Sequence, residues 1–271
     1  MWLDCRNARA KRHESVGRVH PTTPLARLPL SPSNHSIPSF RSWAARRALA
    51  ELRAIVVPPV CVACRVVLGA AEEILCPSCR RRLPWLAGPL CERCGLPAPC
   101  RPCPARSAAF DTSWAPLAHE GVAGTVVRAL KYDARLCVAD AMAAQLAAGA
   151  PSGMLAAGAV LVPVPADPAR RRARGYAHAE LLAAALARRS RLPIARCLRQ
   201  AGRAPAQAGR RRTERLARQP GLGAVGCAPP VAVLVDDVHT TGATLDACAR
   251  ALREAGAQRV AAVTYTRALR R

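Results

Sequence analysis

The chain has 271 residues, 51% of them hydrophobic, enough for one large domain or two smaller ones. Its formal net charge is +24 with only 3% aromatics, so contact with a polyanion would run through phosphate charge rather than base stacking. No stretch approaches the roughly 18 apolar residues of a membrane span, and the N-terminus lacks the apolar run of a secretory signal. A cytoplasmic protein is expected, and there paired cysteines point to metal before disulfide.

Residues 1–45 scatter arginine, proline and serine without periodicity and read as a disordered basic extension, although a start codon placed too far upstream would look the same. Phe40 to Val57, with Trp43, Leu49, Leu52 and Ile55, suits a short amphipathic helix. Next come four C-x-x-C knuckles: Cys61 and Cys64, Cys76 and Cys79, Cys91 and Cys94, Cys100 and Cys103. Eight thiolates supply two tetrahedral Cys₄ zinc sites, and closed four-sulfur shells leave no position for catalysis, so both are structural. They stabilise a segment, residues 58–105, that is too small to fold alone. A redox reading needs one such motif on a thioredoxin-like helix, not four in series. An iron–sulfur cluster is the remaining alternative. Sequential pairing (61/64/76/79, then 91/94/100/103) is preferred over interleaved pairing. The single cysteines, such as Cys137, Cys197 and Cys248, read as core or incidental.

From Phe110 the texture is α/β, a parallel sheet flanked by helices over residues 110–271. Thr112 to Leu117 predicts an edge strand, Gly121 to Lys131 and Leu136 to Leu146 predict helices, and Ala159 to Val164 a buried strand. Pro165 to Pro168 then lead into Arg170, Arg171, Arg172, Arg174 and Gly175-Tyr176, either a pyrophosphate site or a solvated basic turn. Leu181, Leu182, Ala185 and Leu186 mark the next helix, and residues 201–218 read as a loop. Gly221, Gly223 and Gly226 match a dinucleotide fingerprint only formally, because Pro229-Pro230 stand where its helix would begin; a glycine-rich strand is the other reading. Val260 to Thr266 predicts the last strand.

The most informative stretch is Val231 to Leu245. Five apolar residues predict a strand buried on both faces, and Asp236 and Asp237 stand where it is expected to end. Thr240-Thr241-Gly242-Ala243-Thr244 follow, then Leu245, Cys248, Ala249 and Leu252 at helical spacing up to Gly256. A helix start beside a strand's carboxyl end favours an anion such as phosphate. The acids beside it need sugar hydroxyls or Mg²⁺ as partners. A P-loop NTPase is excluded: the only lysines, Lys11 and Lys131, do not follow a glycine.

This stretch resembles the 5-phosphoribosyl-1-pyrophosphate (PRPP) loop of type I phosphoribosyltransferases. The resemblance implies that Asp236 and Asp237 hold ribose hydroxyls while Thr240, Thr241, Gly242, Ala243 and Thr244 wrap the 5′-phosphate; it assigns His239 nothing. From about residue 58 to 267 the chain is similar to ComF-type proteins of bacterial DNA transformation, which join a double zinc ribbon to a transferase domain. The matching pieces are the four knuckles, Pro84-Trp85, Leu130-Lys131-Tyr132, Val162-Pro163-Val164-Pro165, Arg174-Gly175-Tyr176, Pro205-Ala206-Gln207-Ala208-Gly209 and the PRPP loop. The resemblance implies PRPP binding with Mg²⁺, with Lys131 and Arg174 among the contacts, and a phosphoribosyl transfer assisted by Asp236 and Asp237. Where the family usually carries Asn-Gln, this chain has Ala177-His178. A DNA-binding adaptor of the competence machinery, taking single-stranded DNA, and a PRPP sensor are the alternatives.

Overall fold

The computed structural model describes residues 59–70, 73–132, 136–200 and 222–269. The expected N-terminal extension, the Phe40–Val57 helix and the 201–218 loop, including Pro205 to Gly209, lie outside them. The cysteine-rich segment contributes one short helix, α1 (Pro77–Arg81). It is followed by β1 (Thr112–Trp114), β2 (Leu117–Ala118), α2 (Gly121–Tyr132), α3 (Leu136–Gly149) and β3 (Val160–Pro163). Then come α4 (Pro168–Arg174), α5 (His178–Ser190), β4 (Leu198–Gln200), β5 (Leu222–Ala224), β6 (Val231–His239), α6 (Ala243–Glu254) and β7 (Arg259–Arg267).

Parallel pairing joins β1, β7, β6 and β3 in that order, with β2 extending the outer side of β7. Alternate side chains of each strand go to opposite faces of the sheet and into two separate cores. Val233 and Val235 of β6 pack with α2, α3 and α5, whereas Ala232 and Leu234 pack with α6. Burial on both faces is why β6 is a continuous apolar run rather than an alternating one. The glycine-rich segment forms β5, paired antiparallel with β4. The expected edge strand is split into β1 and β2, both against β7.

Two expectations are corrected. First, β6 does not end at its acids. It runs on to His239, because β7 continues the ladder beside it from Asp236, opposite Thr264, to His239, opposite Arg267. On its other side pairing with β3 stops at Pro163, opposite Val235. The acids therefore sit on a strand whose one neighbour has just departed, and that departure opens a crevice. Second, the arginine cluster is a helix rather than a turn. Pro168 occupies its first turn, the Asp167 carboxylate accepts from the Ala169 and Arg170 amides at 2.8 and 3.1 Å, and Gly175 closes it at φ 78°. Among the described residues no helix is long and apolar enough to cross a membrane.

Candidate functional site

The eight knuckle cysteines gather in the sequential pairing, Cys61/Cys64/Cys76/Cys79 and Cys91/Cys94/Cys100/Cys103. Sulfur separations are 3.7 Å for Cys64–Cys76, 3.9 Å for Cys91–Cys103 and 3.5 Å for Cys94–Cys100. A tetrahedron with Zn–S bonds of about 2.3 Å has edges of about 3.8 Å, so both sulfur sets fit structural Zn²⁺. Neither cluster has a histidine or carboxylate within its donor set.

The crevice beside β6 is a separate site with a volume of about 530 Å³. One wall is β6 and the start of α6, with Asp236, Asp237, Thr240 and Thr244. The other is the end of α2 and one side of α4, with Lys131, Tyr132, Arg170, Arg171 and Arg174, and Tyr176 and His178 beyond it. Thr241, Gly242 and Ala243 belong to the same loop but do not line the crevice with their side chains. The structure brings Lys131, Arg174, the acid pair and Thr240 and Thr244 of the loop together, although Lys131 is 106 positions from Asp237 in sequence.

Asp237 is nearly buried, its side chain 4% exposed, and the Lys131 ammonium stands 2.9 Å from its Oδ2. The Nε2 atom of His178 is 3.7 Å from Oδ1 of both Asp236 and Asp237. The Asp237 amide donates to Asp236 Oδ1 at 2.9 Å. Burial pushes the Asp236 carboxyl above its ordinary range; the nearby His178 ring pulls it down, and the charge of Asp237 pushes it up again. Two adjacent acids in a half-closed crevice thus need positive charge, and Lys131 supplies only one countercharge at close range. Arg174 lies over the Tyr132 ring, 5.0 Å from its centroid, with NH1 3.4 Å from His178 Nδ1. The Tyr176 hydroxyl donates to the Leu130 carbonyl at 2.9 Å, binding the end of α2 to the residues after α4.

The loop is shaped from beneath. Gly242 has φ 83° and caps α6; a Cβ there would come within 2.8 Å of His239 Nε2. His239 is buried against the edge of Phe110, ring centroids 6.0 Å apart, and burial with the nearby Arg267 charge lowers its pKa to about 3. The hydroxyls of Thr240, Thr241 and Thr244 are on exposed residues. Sequence reasoning assigned no role to His178, His239, Tyr132 or Arg267. Only His178 carried a usable signal, its place four residues after Arg174 at the start of a helix. The other three acquire their contacts only through folding.

The double zinc ribbon domain model matches residues 52–109. Over 200 residues, 68% of this chain and 80% of the relative, the sequence is 29% identical to the competence protein ComFC of Bacillus subtilis (strain 168).

Proposed function

We propose that this chain, a member of the ComF family, binds PRPP with Mg²⁺ in the crevice between α4 and the β6–α6 loop, and that it is a phosphoribosyltransferase-type protein. One observation carries the reading: an acid pair, with Asp237 buried, shares one crevice with Lys131, three arginines and Thr240 and Thr244 of the loop that a left-handed glycine turns into α6. An anion at the loop meets the N-terminal amides of a 12-residue helix, where the dipole favours negative charge. The acids beside it accept hydrogen bonds from ribose hydroxyls, which are charge-assisted and so stronger than neutral ones. Arg174, stacked on Tyr132, presents its fork to the pyrophosphate.

The carboxylates of Asp236 and Asp237 fit a hard divalent cation, which takes oxygen ligands; the His178 ring nitrogen lies within 4.8 Å of both but is a poor ligand for such an ion. Asp236 and Asp237 would hold Mg²⁺ or its waters, and the ion would neutralise the charge of the pyrophosphate. Within the chain itself, Asp236 and Asp237 lie where a ribose losing its pyrophosphate would develop positive charge, so fixed negative charge stabilises that state without reorganisation.

Calorimetric titration with PRPP and with ribose 5-phosphate tests the reading. Gly242→Val should lose both ligands. Asp237→Asn should weaken PRPP by about 10- to 150-fold, the value of one charge-assisted hydrogen bond. Arg174→Ala should weaken PRPP and spare ribose 5-phosphate. Wild-type protein that ignores PRPP with Mg²⁺ present would remove the assignment.

The competence relative and the net charge of +24 favour a second role on the same chain, handling of single-stranded DNA. With few aromatics, affinity should fall with salt at a log–log slope of about −0.7 for each phosphate neutralised. A flat salt dependence would exclude it.

A further inference from the structure

We propose that Arg267 couples the second cysteine cluster to the phosphate loop, so that metal in that cluster and an anion at the loop favour one another. The inference rests on the loop being an anion site, as proposed above. Arg267 is the last residue of β7 and is only 3% exposed. Its Nε donates at 2.9 Å to the carbonyl of Cys94, a zinc-cluster residue 173 positions away in sequence. Its NH1 donates to the His239 carbonyl at 2.8 Å and to the Thr240 carbonyl, the two residues that open the loop. One planar, rigid guanidinium thus sets the separation between a metal knuckle and the phosphate loop.

Both ends of this link are themselves fixed. The knuckle is seated on β1: the Ser113 amide donates to the Glu92 carbonyl at 3.1 Å, and the Ser113 hydroxyl to the Arg93 carbonyl at 3.1 Å. Cys94 is fully buried. On the loop side, the His239 carbonyl also accepts from the Ala268 amide at 2.9 Å, and the His239 ring is the surface under Gly242. Four thiolates converging on an ion hold the knuckle turn in its shape. When they separate, the Cys94 carbonyl moves and a buried Nε–H loses its acceptor. Restoring that bond requires the guanidinium to turn, and turning it draws NH1 from the loop carbonyls. Linkage makes the effect reciprocal: an anion that orders the loop must slow metal loss from the second cluster.

Hydrogen exchange of the full-length protein, read at the amides of residues 239–244, tests the coupling without needing a ligand. Cys100→Ser opens the second cluster and should speed exchange there roughly tenfold, the loss of one hydrogen bond to a charged group, while residues 231–235 stay protected. Cys64→Ser opens the first cluster instead and should leave 239–244 near the wild-type rate. Arg267→Lys keeps the charge and loses the fork; it should reproduce the faster loop exchange and speed zinc release to a chromogenic chelator. Ribose 5-phosphate should slow that release in wild type and not in Arg267→Lys. Unchanged loop exchange in a metal-depleted Cys100→Ser protein, or equal changes in the two cysteine variants, overturns the proposal. If Cys100→Ser loses protection throughout β6, Arg267→Lys decides alone: wild-type loop exchange and zinc release in it overturn the coupling. If wild type ignores ribose 5-phosphate, the anion-site reading falls, while exchange and zinc release still decide whether the link exists.

Discussion

The two cysteine clusters begin with the same knuckle and are embedded by different forces. In the first, Arg65 N donates to Cys61 O at 2.9 Å and Cys61 N to Val66 O at 2.8 Å; in the second, Gly95 N donates to Cys91 O at 2.7 Å and Cys91 N to Leu96 O at 2.8 Å. Each is flanked by an antiparallel bridge, Val60 with Val67 and Leu90 with Pro97. The residue after the second cysteine is left-handed in both, Arg65 at φ 66° and Gly95 at φ 67°. Beyond the knuckle they diverge. The first packs Val62, Leu68, Ile74, Leu75 and Leu83 into the core shared with α2, α3 and α5. The second contributes little apolar bulk to the core on the α6 face and is held by polar contacts, from Arg93 to the Ala105 and Ala108 carbonyls and from Arg267 to Cys94. Apolar embedding is non-directional and supplies stability; hydrogen bonding to a rigid fork supplies position. The first cluster is therefore built as a support and the second as a setting for the loop.

Removing metal should have the largest effect. Structural zinc contributes an apparent ~10–16 kcal/mol in small zinc modules. Because the first cluster shares a core with the sheet helices, a chelator should lower the melting temperature of the α/β part as well as unfold the ribbons. Calorimetry showing an α/β transition unmoved by chelation would break the comparison. Next, Leu75→Ala should cost about 2–5 kcal/mol as a buried large-to-small change. Urea unfolding should show that loss with ribose 5-phosphate affinity of the folded protein unchanged.

The left-handed position sharpens the contrast. Gly95→Ala forces a side chain into a conformation that costs about 1–2 kcal/mol, and its Cβ would lie 3.1 Å from the Ser113 carbonyl oxygen. Arg65 is exposed, so Arg65→Gly relieves similar strain but frees the unfolded chain, and a net change under about 1 kcal/mol is expected by urea unfolding.

The smallest effect near neutrality is the pH dependence from His239. Its folded pKa, about 3, lies below the unfolded value of 6.5, so the unfolded state binds more protons between these pH values. Stability should fall with decreasing pH across that window, by at most about 1.4 kcal/mol per pH unit. The raised Asp236 pKa acts in the opposite direction, gaining stability as pH falls. Urea unfolding of His239→Gln against wild type from pH 7 to 5 isolates the histidine: the variant should show the shallower loss, and parallel curves would contradict the assignment.

What the sequence determined by itself is local in origin. The C-x-x-C spacing, the two-faced apolar run of β6, the glycine at the head of α6 and the helical spacing of Leu245, Cys248, Ala249 and Leu252 each follow from a few adjacent residues, so periodicity and turn chemistry expose them. The arginine helix was missed although its cap is local, because Asp167-Pro168 reads equally as a turn. The end of β6 was misplaced because the backbone partners that prolong a strand belong to another strand, and only β7 decides where pairing stops. Tertiary structure alone decided that Lys131 reaches Asp237, that His178 faces both acids, that His239 lies under Gly242, and that Arg267 joins Cys94 to the loop. Each needs elements distant in sequence, or a buried side chain's direction, to be brought within hydrogen-bond or van der Waals reach, and composition or spacing along the chain carries no record of that.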